Sequence, residues 1–518
     1  MDDKNVTIYK YHSCFKLFPY YKSRWNKETR TVEGTCPKLD NMYHVFEEFR
    51  GHVNKKDFLH RYNKKNKTLT LPVGFTLEAI TEKLYENNVI YKIVDMTDKV
   101  ITPRVVNYTL SEEYNLRNQF QVEAVDFLIS DKLGYNKLLA LSTGIGKTIC
   151  SIFGAYKLKQ PMFIVSETLC DQWLDKIEEY TDCTKENHGV IIRKGVDNLH
   201  MLLNKRRENI KYAFIISTSA TLSSYIEKYG TLNPLFDHLG IGILCFDEYH
   251  MNWAQNVNIE SDVQVQNIWR LTATPSRTTR NEKRVFDKMT KDICVYGTKT
   301  ISVNNYANLR LVDYNTYPSE EEKAGCYTSK GLSAVLYWNY IFSNPNKQMY
   351  MLGLTKMLLD PLLDEDSDYK ILVYLAKLEH ITVFKQQLEA LYEKENKSLN
   401  IGNYTTASGK KKERLGQLRN RLIFTTVQSG GVGLDLENLK AVLCLVPYSS
   451  NITASQMIGR LRFIEGVELY YYDFVDLGFK SMDRQRFMRM QTLKIKSKQI
   501  NRKEVTYEEV NNYLNNIL

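Results

Sequence analysis

Four short runs of uninterrupted apolar residues constrain this chain most: Leu138 to Leu141, Met162 to Val165, Ala213 to Ile216 and Ile243 to Phe246. A strand with one face in water alternates apolar and polar residues. A run that is apolar throughout needs cover on both faces, which a parallel sheet between helices supplies. Helical patterns such as Asp171 to Tyr180 lie between the runs, so the expected class is α/β. A second series follows at Lys370 to Leu375, Arg421 to Thr426, Ala441 to Val446 and Leu469 to Val475. Two tandem α/β domains are the simplest account. Tyr470, Tyr471 and Tyr472 then belong in and around a strand.

The expected organisation is an N-terminal accessory α+β domain over 1–110 and a first α/β domain over 111–305. A helical linker or insert over 306–350, a second α/β domain over 351–479 and a basic tail over 480–518 complete it. Pro103, within Thr102-Pro103-Arg104, marks the first linker. The first hundred residues hold 18 basic and 13 acidic side chains, half of the net excess of +10, and mix Tyr20, Tyr21, Trp25, Phe46 and Phe49 with Lys55, Lys56, Arg61, Lys64, Lys65 and Lys67, so this domain is expected to bind nucleic acid. Between Lys480 and Lys503 nine basic residues meet one acidic, which reads either as a solvated helix or as a nucleic-acid contact strip. Lys410-Lys411-Lys412-Glu413-Arg414 reads as a charged surface helix start.

Composition excludes several classes. With 43% apolar and 25% charged residues the chain is not intrinsically disordered. No run of about 18 apolar residues predicts a membrane span. Met1-Asp2-Asp3-Lys4 leads into polar residues, and nine scattered cysteines form no Cys-x-x-Cys pair, so a cytoplasmic, reduced protein is expected. His12, Cys14, Cys36 and His44 match no common zinc spacing.

The chemistry concentrates after two of the apolar runs. Ser142-Thr143-Gly144-Ile145-Gly146-Lys147-Thr148 follows a strand and opens a helix. Its glycines let backbone N–H groups wrap a phosphate, Lys147 offsets phosphate charge, and the Thr148 hydroxyl suits magnesium. The usual first glycine of such loops is replaced by Leu141. Asp247-Glu248-Tyr249-His250 follows the run Ile243 to Phe246, with Asp247 placed to hold magnesium and Glu248 to deprotonate a water.

With these two motifs the chain resembles the superfamily 2 helicases and translocases of the DExH type, with two RecA-like domains. Arg270-Leu271-Thr272-Ala273-Thr274-Pro275 is similar to that family's motif III, which implies a coupling role for Thr272, Ala273 and Thr274. Ser166-Glu167-Thr168-Leu169 before Gln172-Trp173, and Ser217-Thr218, resemble the strand-contacting motifs Ia and Ib. Thr425-Thr426 through Gly430-Gly431-Val432-Gly433-Leu434-Asp435 resembles motif V, and Gln456-Met457-Ile458-Gly459-Arg460-Leu461-Arg462 motif VI.

The resemblance covers Leu116 to Asp476 and implies ATP and Mg2+ as ligands. Catalysis would fall to Lys147, Asp247, Glu248, His250, Gln456, Arg460 and Arg462. Arg460 matches the first motif VI arginine; the second usually stands three positions on, where this chain has Phe463, with Arg462 one earlier. Gln121 resembles the glutamine that reads adenine, while Gly433 and Asp435 would approach the nucleotide, Asp435 also reading as a helix cap. The loop and the length are similar to the bacteriophage UvsW and poxviral transcript-release helicase group. The expected partner is nucleic acid, DNA before RNA, alongside replication or transcription proteins, and the expected role is ATP-driven unwinding or translocation. A duplex translocase, an RNA helicase and a non-motor binding module are the alternatives.

Overall fold

Each apolar run becomes a central strand. The computed structural model describes residues 5–20, 24–26, 31–33, 44–46, 56–58, 61–63, 66–112, 115–116, 118–133, 135–141, 145–166, 170–273, 286–287, 293–297, 305–329, 331–364, 368–405, 416–431, 436, 438–462, 464 and 466–517. The chain divides into two compact units, Met1–Thr298 and Lys299–Leu518.

In the first unit a seven-stranded sheet runs Val190–Ile192, Phe214–Ser217, Met162–Val165, Ile243–Phe246, Asn267–Thr272, Asn136–Ala140 and Cys294–Gly297. Every pairing is parallel. The four expected strands lie inside it, buried on one face by the helices Lys147–Leu158 and Cys170–Tyr180 and on the other by Ser219–Tyr229 and Asn233–Leu239. Numbered along the unit, the strands follow the order 3-4-2-5-6-1-7. As a result the chain leaves Ala140, Phe246 and Thr272 at the same edge, on three neighbouring strands.

The second unit repeats that order with Ile401–Tyr404, Leu422–Thr426, Lys370–Leu375, Leu439–Cys444, Leu469–Asp476, Ala307–Tyr314 and Ser497–Glu504, again all parallel. The fold is thus α/β with tandem RecA-like sheets and a small N-terminal sheet. Tyr470, Tyr471 and Tyr472 lie in the strand Leu469–Asp476, as expected.

Two sequence expectations change. The stretch 306–350, read as a helical linker, does hold the helices Glu320–Gly325 and Ala334–Ser343, but it opens with the strand Ala307–Tyr314, next to the edge of the second sheet. Asn308, Arg310 and Asp313 hid this strand by breaking its apolar pattern. The expected tail 480–518 is likewise folded, as the helix Lys480–Ile495, the edge strand Ser497–Glu504 and the helix Tyr507–Asn515. Its basic residues are not all solvated. Arg486 and Arg489 are buried on Asp473, which accepts from Arg486 Nε at 2.8 Å and from Arg489 Nε at 2.8 Å. Arg486 also pairs with Asp313, and Arg489 donates to the Tyr448 carbonyl at 2.6 Å.

The N-terminal α+β element is a five-stranded sheet in the order Arg61–Asn63, Thr68–Pro72, Cys14–Phe18, Asn5–Lys10 and Ile90–Asp95, with the helix Leu77–Glu86. Its apolar residues, among them Leu17, Leu69 and Phe75, share one core with Leu235, Val263 and Val265. Asp262 is fully buried at this junction and accepts from Arg61, from Thr231 Oγ1 at 3.1 Å and from the Leu232 N–H at 2.6 Å. Tyr20 is buried too. Thus two of the residues read from sequence as a nucleic-acid surface serve the interior. The side chains of Tyr21, Trp25, Phe46, Phe49, Lys55, Lys56, Lys64 and Lys65 lie outside the described residues, as do 410–414. No helix among the described residues is long and apolar enough to cross a membrane.

Candidate functional site

Parallel topology places the chemistry at one edge of the first sheet, beyond the carboxyl ends of adjacent strands. After Asn136–Ala140 comes the loop that ends at Gly146, Lys147 and Thr148. Ser142, Thr143 and Gly144 lie outside the described residues. Gly146 caps the helix Lys147–Leu158 with φ +101°, a left-handed conformation that glycine adopts readily. A Cβ there would meet Gln121 Nε2 at 2.5 Å and Ile149 Cγ2 at 2.8 Å. Gly146→Ala therefore combines backbone strain with a clash. We expect nucleotide affinity to fall about tenfold or more, about 1.4 kcal/mol, measured by titration with a fluorescent ATP analogue.

Gln121 is buried and donates from Nε2 to the carbonyl of Ile145 at 2.7 Å, which ties the helix Gln119–Ile129 to the loop. The Lys147 ammonium is 9% exposed, donates to the Leu141 carbonyl at 3.2 Å and stands 4.0 Å from Glu248 Oε1. Thr148 is half-buried in the first helical turn.

Two strands along, Asp247 and Glu248 leave the strand Ile243–Phe246. Asp247 Oδ1 accepts the Glu248 N–H at 3.0 Å, and Oδ2 accepts Trp173 Nε1–H at 2.8 Å. Desolvation, with the charge of Glu248 beside it, pushes the Asp247 carboxyl above the usual carboxylate range; Trp173 and the Lys147 charge pull the other way. Glu248 adopts φ +46°. Its Oε2 lies 3.2 Å from Nδ1 of His250, and that nitrogen also lies 2.9 Å from Thr272 Oγ1 on the intervening strand. A line of contacts therefore runs from Lys147 through Glu248 and His250 to Thr272. Ala273 follows, half-buried, and Thr274 lies outside the described residues.

Beneath this line is a buried network that the motifs do not announce. Arg270 donates through Nε to Glu260 Oε2 at 2.9 Å and through Nη2 to Asn136 Oδ1 at 3.3 Å, and its guanidinium stacks over Tyr249. Tyr249 in turn donates to Glu260 Oε1 at 3.3 Å. Of Asp247-Glu248-Tyr249-His250, only Tyr249 thus turns into the core, while the other three face the site. Of the segment like motif Ib, Ser217 donates to the Arg193 carbonyl at 2.6 Å, and Thr218 caps the helix Ser219–Tyr229. Residues 167–169 lie outside the described residues.

In the second unit, Gln456 and Arg460 are half-buried and Arg462 is exposed, on and just after the helix Asn451–Ile458. Arg460 hydrogen-bonds Tyr374, whose hydroxyl donates to the Gly430 carbonyl at 3.0 Å. Tyr374, hidden in an apolar strand, thereby links the segments like motifs V and VI. A Cβ on Gly430 would meet Thr425 Cγ2 at 2.5 Å. Gly433 and Asp435 lie outside the described residues.

This geometry has counterparts. Residues 113–277 match the family model described as type III restriction enzyme, res subunit. Among solved structures, the ATP-dependent type ISP restriction-modification enzyme LlaBIII bound to DNA matches with a TM-score of 0.53 and 15% identity, over 77% of this chain and 32% of that one. Mss116p bound to ssRNA and AMP-PNP matches at 0.51 and 14%, over 80% and 84%. A fragment assigned as an HsdR subunit of a type I restriction enzyme from Vibrio vulnificus YJ016 matches at 0.50 and 13%, over 83% and 75%. No curated protein sequence matches the chain. The likeness to these solved structures is one of fold.

Proposed function

We propose that the chain is an ATP-hydrolysing nucleic-acid motor of superfamily 2 that moves on DNA. The observation that carries this reading is the line from Lys147 to Glu248, His250 and Thr272, which joins a phosphate-binding lysine, a base and a coupling threonine. Lys147 and the backbone around Gly146 bind the phosphates, and Gln121 is assigned to the adenine edge. Glu248 takes the proton of the attacking water, and His250 passes the state of the site to Thr272. Thr148 and Asp247 offer the hard oxygen ligands that magnesium prefers and would hold the ion, which would supply neutralisation of phosphate charge. Gln456, Arg460 and Arg462 are assigned to the γ phosphate, where either arginine can stabilise developing charge. Gly433 and Asp435 are assigned to the ribose side.

DNA is favoured as the track because the family model and the DNA-bound relative both come from restriction systems. Within the superfamily, the loop Leu141 to Thr148 supports the phage and poxviral type, and with it replication, recombination or transcription proteins as partners.

The test is the ATPase rate of the purified chain alone and with single-stranded, duplex or forked DNA, or RNA, beside Glu248→Gln. We expect DNA to stimulate hydrolysis and the variant to lose about 10²–10⁴-fold. Stimulation by RNA alone would move the track to RNA, and a fully active variant would remove Glu248 from its role.

A further inference from the structure

The hydrogen bond from Trp173 to Asp247 is not required by packing. Trp173 lies on the helix Cys170–Tyr180, 2% exposed, within the apolar cluster that holds Ile164, Ile216 and Cys245. The polar handle of a buried tryptophan usually goes to a partner, and here the partner is a carboxylate at the site. An aspartate side chain otherwise turns broadly about its last torsion. In this chain one oxygen is held by an indole N–H at 2.8 Å and the other by a backbone N–H at 3.0 Å. Both donors are anchored, the indole by the core and the amide by the turn that carries Glu248. The plane of the carboxylate is therefore set, and each oxygen keeps a lone pair for a cation.

We propose that Trp173 is a positioning residue that orients the Asp247 carboxylate toward the metal of a metal–nucleotide complex. The inference rests on the nucleotide reading above. Groups that orient a metal ligand from behind change metal affinity by about 10–100-fold when removed. Loss of the indole N–H should therefore weaken the response to metal and leave metal-free nucleotide binding alone.

The experiment is binding of N-methylanthraniloyl-ATP to the full chain, titrated with Mg2+ and repeated in EDTA. It compares wild type, Trp173→Phe, and a chain carrying 3-benzothienylalanine at position 173. The analogue keeps the shape of tryptophan and replaces N–H by sulfur, so it reports the hydrogen bond even where phenylalanine disturbs the core. Trp253→Phe, a second buried tryptophan of the same unit, controls for general loosening. We expect the Mg2+ midpoint to rise about tenfold or more in both position-173 chains, with binding in EDTA unchanged. A wild-type midpoint in the benzothienyl chain would overturn the proposal, as would equal weakening with and without Mg2+, the mark of a packing defect. If wild type itself shows no Mg2+-dependent binding, the nucleotide reading falls first and this role falls with it. The wild-type curve thus separates the two failures.

Discussion

Lys147→Ala is expected to lower ATP hydrolysis by about 10²–10³-fold or more, the scale for removing one preorganised charge from a transition state. The ammonium is poised for that role. It sits on the Leu141 carbonyl at 3.2 Å, 4.0 Å from the Glu248 carboxylate, with only 9% of its surface exposed. On the proposed reading alanine leaves phosphate charge unopposed, and it takes from Glu248 its neighbouring cation. The same burial predicts what is spared. A side chain this enclosed neutralises no phosphate of a polymer, so polymer affinity and its salt dependence should match wild type. The checks are a steady-state ATPase assay and fluorescence anisotropy with labelled DNA at several salt concentrations. Full activity in the variant would remove the loop from the proposed site, and a large drop in the salt slope would place Lys147 on the polymer.

The second large effect is structural. Asp473→Ala is expected to destabilise the second unit by about 3–5 kcal/mol, the cost of leaving buried charge unpaired. Asp473 is fully buried and receives both Arg486 and Arg489, themselves 4% and 1% exposed. Asp313 still offers a partner to Arg486, but Arg489 keeps only the Tyr448 carbonyl among its hydrogen bonds given above. Calorimetry should show the transition of Lys299–Leu518 about 10 °C lower or more. Arg484→Ala, on the exposed face of the same helix, should stay within about 0.5 kcal/mol of wild type. Equal effects of the two substitutions would mean that the buried pairs add nothing over surface charge.

Much of the first unit was legible because its signals are local. Strands covered on both faces must be apolar throughout, and Met162–Val165 and Ile243–Phe246 come out with the bounds their runs predict. Lys147, Glu248, His250 and Thr272 stood out because Lys147 opens a helix and the others stand at or just past strand ends, each within a few residues of its motif partners. The strands Ala307–Tyr314 and Ser497–Glu504 were not readable. Both lie at or beside a sheet edge, where polar residues are tolerated, and the second holds a single residue from the strongly apolar set, Ile500. Trp173 stood in view beside a recognised motif, yet nothing in the order of residues says that its N–H reaches Asp247.

The sequence by itself determined the α/β class, the two series of strands, and the residue types that gather at the loop before Lys147 and at the acidic turn. Each of these is written in neighbouring residues and repeats at the period of a strand or a helix. Only the tertiary structure decided which charges face inward. Arg61, Arg270, Arg486 and Arg489 look like any other basic residue in the chain, and Asp262, Glu260, Asp313 and Asp473 become their partners only through packing. The physical reason is that a charge can stay in a core when an opposite charge is held within hydrogen-bonding reach, and that reach is settled by how strands and helices meet in space, not by their order along the chain.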